Sequence, residues 1–185
     1  MIIRKATLKD APAIAPLLVL AMEDILYKFI NETNYTKAKA FLLHFIAQEN
    51  NQYSYQNCWL AEEENQIIAA VNLYDGAKLQ QLRATIMEYV KTHFNPNFNP
   101  EDETQSGEFY IDSLGVAPNQ QGKGIGSKLL LFLIDEYVAK NQQTLGLLVD
   151  EDNPAAKKLY LKLGFKTVGK KTLVGKNLEQ LQIKG

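Results

Sequence analysis

Histidine, cysteine and tryptophan are almost missing from this chain: two, one and one among 185 residues. His44 and His93 have no second side chain at metal-ligand spacing, so no metal site is expected. The lone Cys58 excludes an intrachain disulfide and suits a reducing, cytoplasmic setting. It lies beside Trp59 in an apolar run, where a thiol reads as an inert core group rather than an acyl-carrying nucleophile. Neither sign of charge is in excess: 20 Lys and Arg stand against 21 Asp and Glu, a net charge of −1. A nucleic-acid partner would call for a basic surplus, so none is expected. Also lacking is any apolar run near the ~20 residues that cross a bilayer. Glu23 and Asp24 interrupt the first hydrophobic stretch, so neither a signal peptide nor a membrane anchor is expected. No repeat or low-complexity linker divides the chain, and one domain over 1–185 is long enough to bury a sizeable core.

Glycine, by contrast, is concentrated where it is costly. Gln121-Gly122-Lys123-Gly124-Ile125-Gly126-Ser127 has glycines at alternate positions and leads into an apolar segment, Lys128 to Lys140, that reads as a helix. Each glycine disfavours helix by about 1 kcal/mol, a cost that makes sense where bare amides must approach a ligand closely. The free amides and positive end of a helix N-terminus suit a phosphate group. Upstream, Phe109 to Val116 reads as a strand, with Phe109 and Ile111 on one face and Glu108, Tyr110 and Asp112 on the other. A Walker-type loop is excluded, since no glycine has the required spacing from a Gly-Lys-Ser/Thr. A dinucleotide fingerprint fits Gly122 and Gly124 but meets Ser127 where it needs glycine. Asp150, ending a later strand, is a candidate ribose-binding acid and keeps a nucleotide-dependent oxidoreductase open as an alternative.

Gln121, Gly124 and Gly126 resemble the Q/R-x-x-G-x-G/A signature of the GNAT superfamily of acetyl-coenzyme A-dependent N-acetyltransferases. A second hallmark of that family also has its counterpart. The strand Leu145 to Val149 is followed by Asn153-Pro154-Ala155-Ala156-Lys157-Lys158-Leu159-Tyr160 and by Leu163-Gly164-Phe165. Together the two motifs cover about a third of the chain. The resemblance implies an α/β fold with a mixed, mostly antiparallel sheet and helices on both faces.

The remaining elements agree with that order. Met1 to Ala6 reads as a first strand, and Thr7 with Asp10 as a capping box. The helix Asp10 to Phe29 has a stripe of Ile14, Leu17, Leu18, Ala21, Ile25 and Phe29, and Thr36 to Gln48 one of Ala40, Leu43, His44 and Ala47. Gln56–Glu62 and Gln66–Tyr74 form a hairpin, and Lys166–Val174 and Leu178–Lys184 form two closing strands around Gly175. On the helix from Pro154, Ala155, Leu159 and Leu163 are expected inside, with Tyr160 at the edge. Between the third and fourth strands lies a partly helical insert, about 76–107, where the resemblance expects a short turn. Its helical part is Leu79 to His93, and its loop is either a lid or disordered. Glu101, Asp102 and Glu103 in that loop precede Glu108 closely; folded over the acceptor end, they would favour a cationic acceptor.

By resemblance, the amides of Gln121, Gly122, Lys123, Gly124, Ile125, Gly126 and Ser127 hold the coenzyme pyrophosphate. The strand backbone at Leu114 and Val116 bonds the pantetheine arm. Asn153 contacts the same arm, although its place before Pro154 is also that of a plain N-cap. Tyr160 is implied as the acid that protonates the departing thiolate, and Glu108 or Asp112 as the base. The implied reaction is direct acetyl transfer from acetyl-CoA, as co-substrate, to a primary amine in a ternary complex. A non-catalytic acyl-coenzyme A binding module of the same fold is the alternative. The acceptor, whether a small molecule or a peptide amine, is not legible, nor is the oligomeric state, a homodimer included.

Overall fold

The computed structural model describes all 185 residues. Its seven strands are β1 (Ile2–Lys5), β2 (Cys58–Glu63), β3 (Gln66–Asp75), β4 (Phe109–Val116), β5 (Leu145–Asp150), β6 (Lys166–Leu173) and β7 (Lys176–Ile183). They form one sheet in the order β1-β2-β3-β4-β5-β7-β6, antiparallel everywhere except between β4 and β5. The helices are α1 (Ala11–Ile30), α2 (Tyr35–Ile46), α3 (Leu79–His93), α4 (Ile125–Leu133) and α5 (Pro154–Lys162). One core joins α1, α2 and α3 to the sheet, and a second lies under α4 and α5 on the opposite face. No helix is long and apolar enough to cross a membrane.

The capping box forms as its residues predict: the Asp10 carboxylate accepts from the Thr7 amide at 2.7 Å and from Arg4 at 2.9 Å. The α1 stripe holds through Ile14, Leu17 and Leu18, then shifts phase. Met22 has non-helical φ/ψ of −138° and 25°, and beyond it Met22 and Leu26 are buried in place of the expected Ala21 and Ile25. Both displaced residues line a cavity instead. The expected α2 stripe is also wrong by phase. Ala38, Phe41, Leu42 and Phe45 face the core and leave Ala40, His44 and Ala47 exposed, because two phenylalanines bury far more apolar area than the alanine pair. In α5, Ala155 is exposed, and the inner face is Ala156, Leu159, Tyr160 and Leu163. Tyr160 is therefore part of the packed stripe rather than its edge, edge-on to Phe165 at 5.9 Å.

The insert is packed, not disordered. Ile86 and Val90 of α3 belong to the main core, and Phe98 meets Phe29 edge-on at 4.7 Å. The loop after it is pinned to the far edge of the sheet. Lys171 on β6 donates to the carbonyls of Asp102 and Glu103 at 3.4 and 3.2 Å, and Glu101 accepts from the Val174 amide at 2.9 Å.

Candidate active site

The centre of the sheet carries a β-bulge. β3 pairs with β4 as Leu73↔Ile111 and then Asn72↔Ser113, so Asp112 is the extra residue. Its effect shows in two hydrogen bonds. The Phe109 amide donates towards β5, to the Thr144 carbonyl at 2.8 Å, while the Ala117 amide donates towards β3, to Ile68 at 2.9 Å. Both are odd-numbered positions, which regular alternation would aim the same way. One extra residue between them reverses the parity, so the Leu114 and Val116 amides point to the β5 side. There they meet no strand: the β4–β5 ladder stops after Phe109↔Leu145, Tyr110↔Gly146 and Ile111↔Leu147. Beyond Ile111 the two strands part into a wedge with a free backbone edge.

The glycine stretch borders this wedge. Gly122 and Gly124 have φ of 77° and 76°, left-handed values that only glycine adopts freely. Helix α4 starts at Ile125, earlier than the expected Lys128, and its first turn is made of glycine-loop residues. The first bond that closes this turn runs from the Lys128 amide to the Gly124 carbonyl at 3.0 Å, which leaves the Ile125, Gly126 and Ser127 amides without helical acceptors. Gly126 faces Leu114 and Val116, where a Cβ would make ordinary van der Waals contact at 3.5 and 3.7 Å. The Gln121 side chain bonds the Val116 carbonyl at 3.1 Å and closes the turn. The Lys123 ammonium bonds Gln120 at 3.0 Å on the outer surface.

A cavity of about 570 Å³ opens from the wedge. Its walls come from the kinked part of α1 (Leu20 to Ile25), from α3, from the insert loop and from the β6–β7 turn. Asp112, Ser113, Leu114, Asn153 and Tyr160 all line it. Asn153 also caps α5, its side-chain oxygen accepting from the Ala156 amide at 3.1 Å, as its place before Pro154 predicts. The Tyr160 hydroxyl bonds no other side chain or backbone group, and burial raises its pKa above that of free tyrosine, keeping the proton on. Asp150 lies at the rim and pairs with Lys176 at 3.2 Å.

The two candidate bases part company here. Glu108 is buried away from the cavity, its carboxylate bonded by Thr104 at 2.7 Å, Gln105 at 2.8 Å and Gln182 at 2.7 Å. It lies over β5 so closely that a Cβ on Gly146 would stand 1.9 Å from its oxygen, which accounts for that glycine. Asp112 faces the cavity. Burial pushes its carboxyl up to about 6, with the Gln52 hydrogen bond at 3.2 Å and the nearby Arg83 charge restraining the rise. Gln52, Tyr53 and Arg83, which sequence reasoning passed over, complete this end of the cavity with Tyr110. Of the acidic run, Glu103 alone lines it, 4% exposed and ion-paired with Arg83, while Asp102 meets Arg83 from the surface at 3.0 Å.

Comparison with known proteins now decides the family. Residues 22–165 match the Acetyltransferase (GNAT) family. The chain belongs to the GNAT family of acetyltransferases. The crystal structure of an acetyltransferase superposes with a TM-score of 0.81 at 31% identity, covering 100% of this chain and 99% of the other. An N-acetyltransferase from Staphylococcus aureus Mu50 gives a TM-score of 0.85 at 21% identity, covering 99% of this chain and 100% of that one, and shares the fold. Among curated proteins, mycothiol acetyltransferases match a short stretch. That of Renibacterium salmoninarum is 44% identical over 66 residues, or 36% of this GNAT chain and 19% of the relative. That of Gordonia bronchialis is 36% identical over 69 residues, 37% of this chain and 22% of the relative. The match thus spans about a fifth of the length of these relatives.

Proposed function

We propose that this GNAT protein transfers the acetyl group of acetyl-CoA directly to a small primary amine that arrives as a cation. The observation that carries the reading is the bulge at Asp112. One residue both turns the Leu114 and Val116 amides into an open wedge and puts a carboxylate of raised pKa beside it. The free edge suits the amides of a pantetheine arm, added like a further strand. The uncapped start of α4, with its left-handed glycines, suits the pyrophosphate.

An alkyl ammonium of pKa near 10.4 must lose a proton before it attacks. Asp112, ionised above about pH 6, is the base in this reading, directly or through a water. The amine nitrogen bonds to the acetyl carbonyl carbon, and the Leu114 amide stabilises the oxyanion. As the carbon–sulfur bond breaks, the Tyr160 hydroxyl donates its proton to the thiolate, and the amide nitrogen sheds its second proton to solvent, from which the Tyr160 phenolate is reprotonated. An acyl-cysteine route has no support: Cys58 is fully buried, and burial pushes its thiol up to about 12. Such a buried thiol is compatible with a reducing, cytoplasmic setting.

Charge supports the acceptor class. Glu23, Asp24, Glu103, Asp112 and Asp150 line the cavity against two cations, Arg83 and Lys176, among apolar walls from Ile25, Phe29, Ile86 and Met87. Release of coenzyme A thiol, followed across cationic and neutral amines at matched concentration, tests the proposal. Turnover is expected with cationic primary amines; equal turnover with neutral ones, or none with any amine, overturns it.

A further inference from the structure

Glu103 comes from the insert, outside both sequence motifs, yet it sits at the inner end of the cavity with both carboxylate oxygens engaged. One oxygen accepts from Gln52 Nε2 at 2.6 Å and from the Tyr74 hydroxyl at 2.9 Å. The other is ion-paired with the guanidinium of Arg83. The same Gln52 nitrogen donates to Asp112 Oδ1 at 3.2 Å, so one side-chain amide links the carboxylate of the insert to that of the bulge. Gln52 is itself buried, as are Arg83 and Tyr74.

Two features of this cluster need a reason. Buried ion pairs add little stability, and replacing both partners with neutral groups is often tolerated. A cation-binding cavity also gains nothing from a buried arginine at its inner end unless that charge is cancelled. We propose that Glu103 is a positioning residue for the acetyl transfer, cancelling the Arg83 charge and fixing Gln52 so that the Asp112 carboxylate stays basic and open to a cationic acceptor. The proposal rests on the reading of Asp112 as the base.

The groups around Asp112 define what Glu103 must balance. Gln52 and Tyr53 approach from the segment before β2, Cys58 from β2, Tyr74 from β3, Arg83 from α3, Glu103 from the insert, and Tyr110 and Ser113 from β4 itself. Arg83 is the one permanent cation among them. Left uncancelled it would draw Asp112 towards its anionic form, making it a weaker base, and would repel an ammonium.

The test follows the Asp112 carboxyl carbon by NMR across pH, together with the acid limb of kcat, in folded variants that still bind coenzyme A. Glu103→Gln is expected to move both downward by about one pH unit and to raise KM for a cationic amine more than tenfold. Gln52→Met, which removes a hydrogen bond to the ionised carboxylate, is expected to move both upward. The double variant Arg83→Gln/Glu103→Gln is expected to return both to within a few tenths of the parent. An unmoved Asp112 titration in Glu103→Gln overturns the proposal; should that variant not fold, an unmoved titration in Gln52→Met does so. Failure of the base assignment looks different: the NMR titration moves as expected while the kcat limb stays where it was.

Discussion

At the scale of single residues, two carboxylates four positions apart, Glu108 and Asp112, have opposite fates. Glu108 is saturated by three donors, one of them from β7, some seventy positions along the chain. No local pattern shows that. Asp112 was equally a candidate in sequence, and the bulge puts its carboxylate at the cavity. Its raised pKa has a thermodynamic consequence. The folded form, titrating near 6, binds a proton that the unfolded chain, titrating near 3.8, has already released. Stability therefore falls as pH rises from about 4 to about 6, and above that range the full penalty applies. Asp112→Asn should abolish most turnover and, above pH 6, stabilise the protein by an amount on the order of 1–3 kcal/mol, with no gain below pH 4. Denaturant titrations at pH 4 and pH 8 check the sign. Tyr160 is read through a second substitution. Tyr160→Phe keeps the contact with Phe165 and removes the hydroxyl alone, so kcat should drop about 10²- to 10⁴-fold with coenzyme affinity unchanged. Unaltered kcat in single-turnover experiments would return Tyr160 to a packing role.

At the scale of elements, the glycine loop and α4 were legible because their signal is local: three alternate glycines, then an apolar helix. Gly124→Glu tests their role, since it adds a side chain at φ 76° and a negative charge where a pyrophosphate is expected. At one hundred times its Kd, coenzyme A should stabilise the parent by about 2.7 kcal/mol, seen as a higher Tm, and the variant not at all. The bulge was legible in hindsight. Apolar residues run Phe109, Ile111, then Leu114, Val116, and the switch from odd to even positions marks one extra residue between them. The phases of α1 and α2 were not. The α1 stripe is continuous in sequence, but the kink at Met22 redirects its second half into the cavity wall. The α2 stripe was misread because competing stripes exist and only tertiary packing against Phe29 and Tyr89 selects the phenylalanine one. The insert loop reads in sequence as a lid or as disordered, whereas Phe98, with Ile86 and Val90 of α3, brings the insert into the main core.

At the scale of the whole molecule, the family, the sheet and the helices on its two faces followed from two motifs, and the acceptor end did not. That end is assembled from α1, α3, the insert and the β6–β7 turn, segments far apart in sequence. Gly115 shows how tightly they converge: a Cβ there would stand 1.8 Å from the Leu17 carbonyl oxygen, so α1 rests directly on the β4 backbone beside the wedge. The wedge itself makes the sheet two plates, β1–β4 and β5–β7, sharing a ladder of three residue pairs. Such a short parallel ladder is the line along which the molecule should tear. Stretched between residues 4 and 180, a single molecule should yield first at the β4–β5 seam, releasing β5–β7 before β1–β4 loses its fold. A ligand that bridges the plates acts there as a rivet, so coenzyme A should raise the force of that first event and leave later ones unchanged. A first rupture elsewhere, or one indifferent to coenzyme A, would show that the other contacts across the seam, Gln182 on Glu108 and Lys171 on the insert loop, outweigh the ladder.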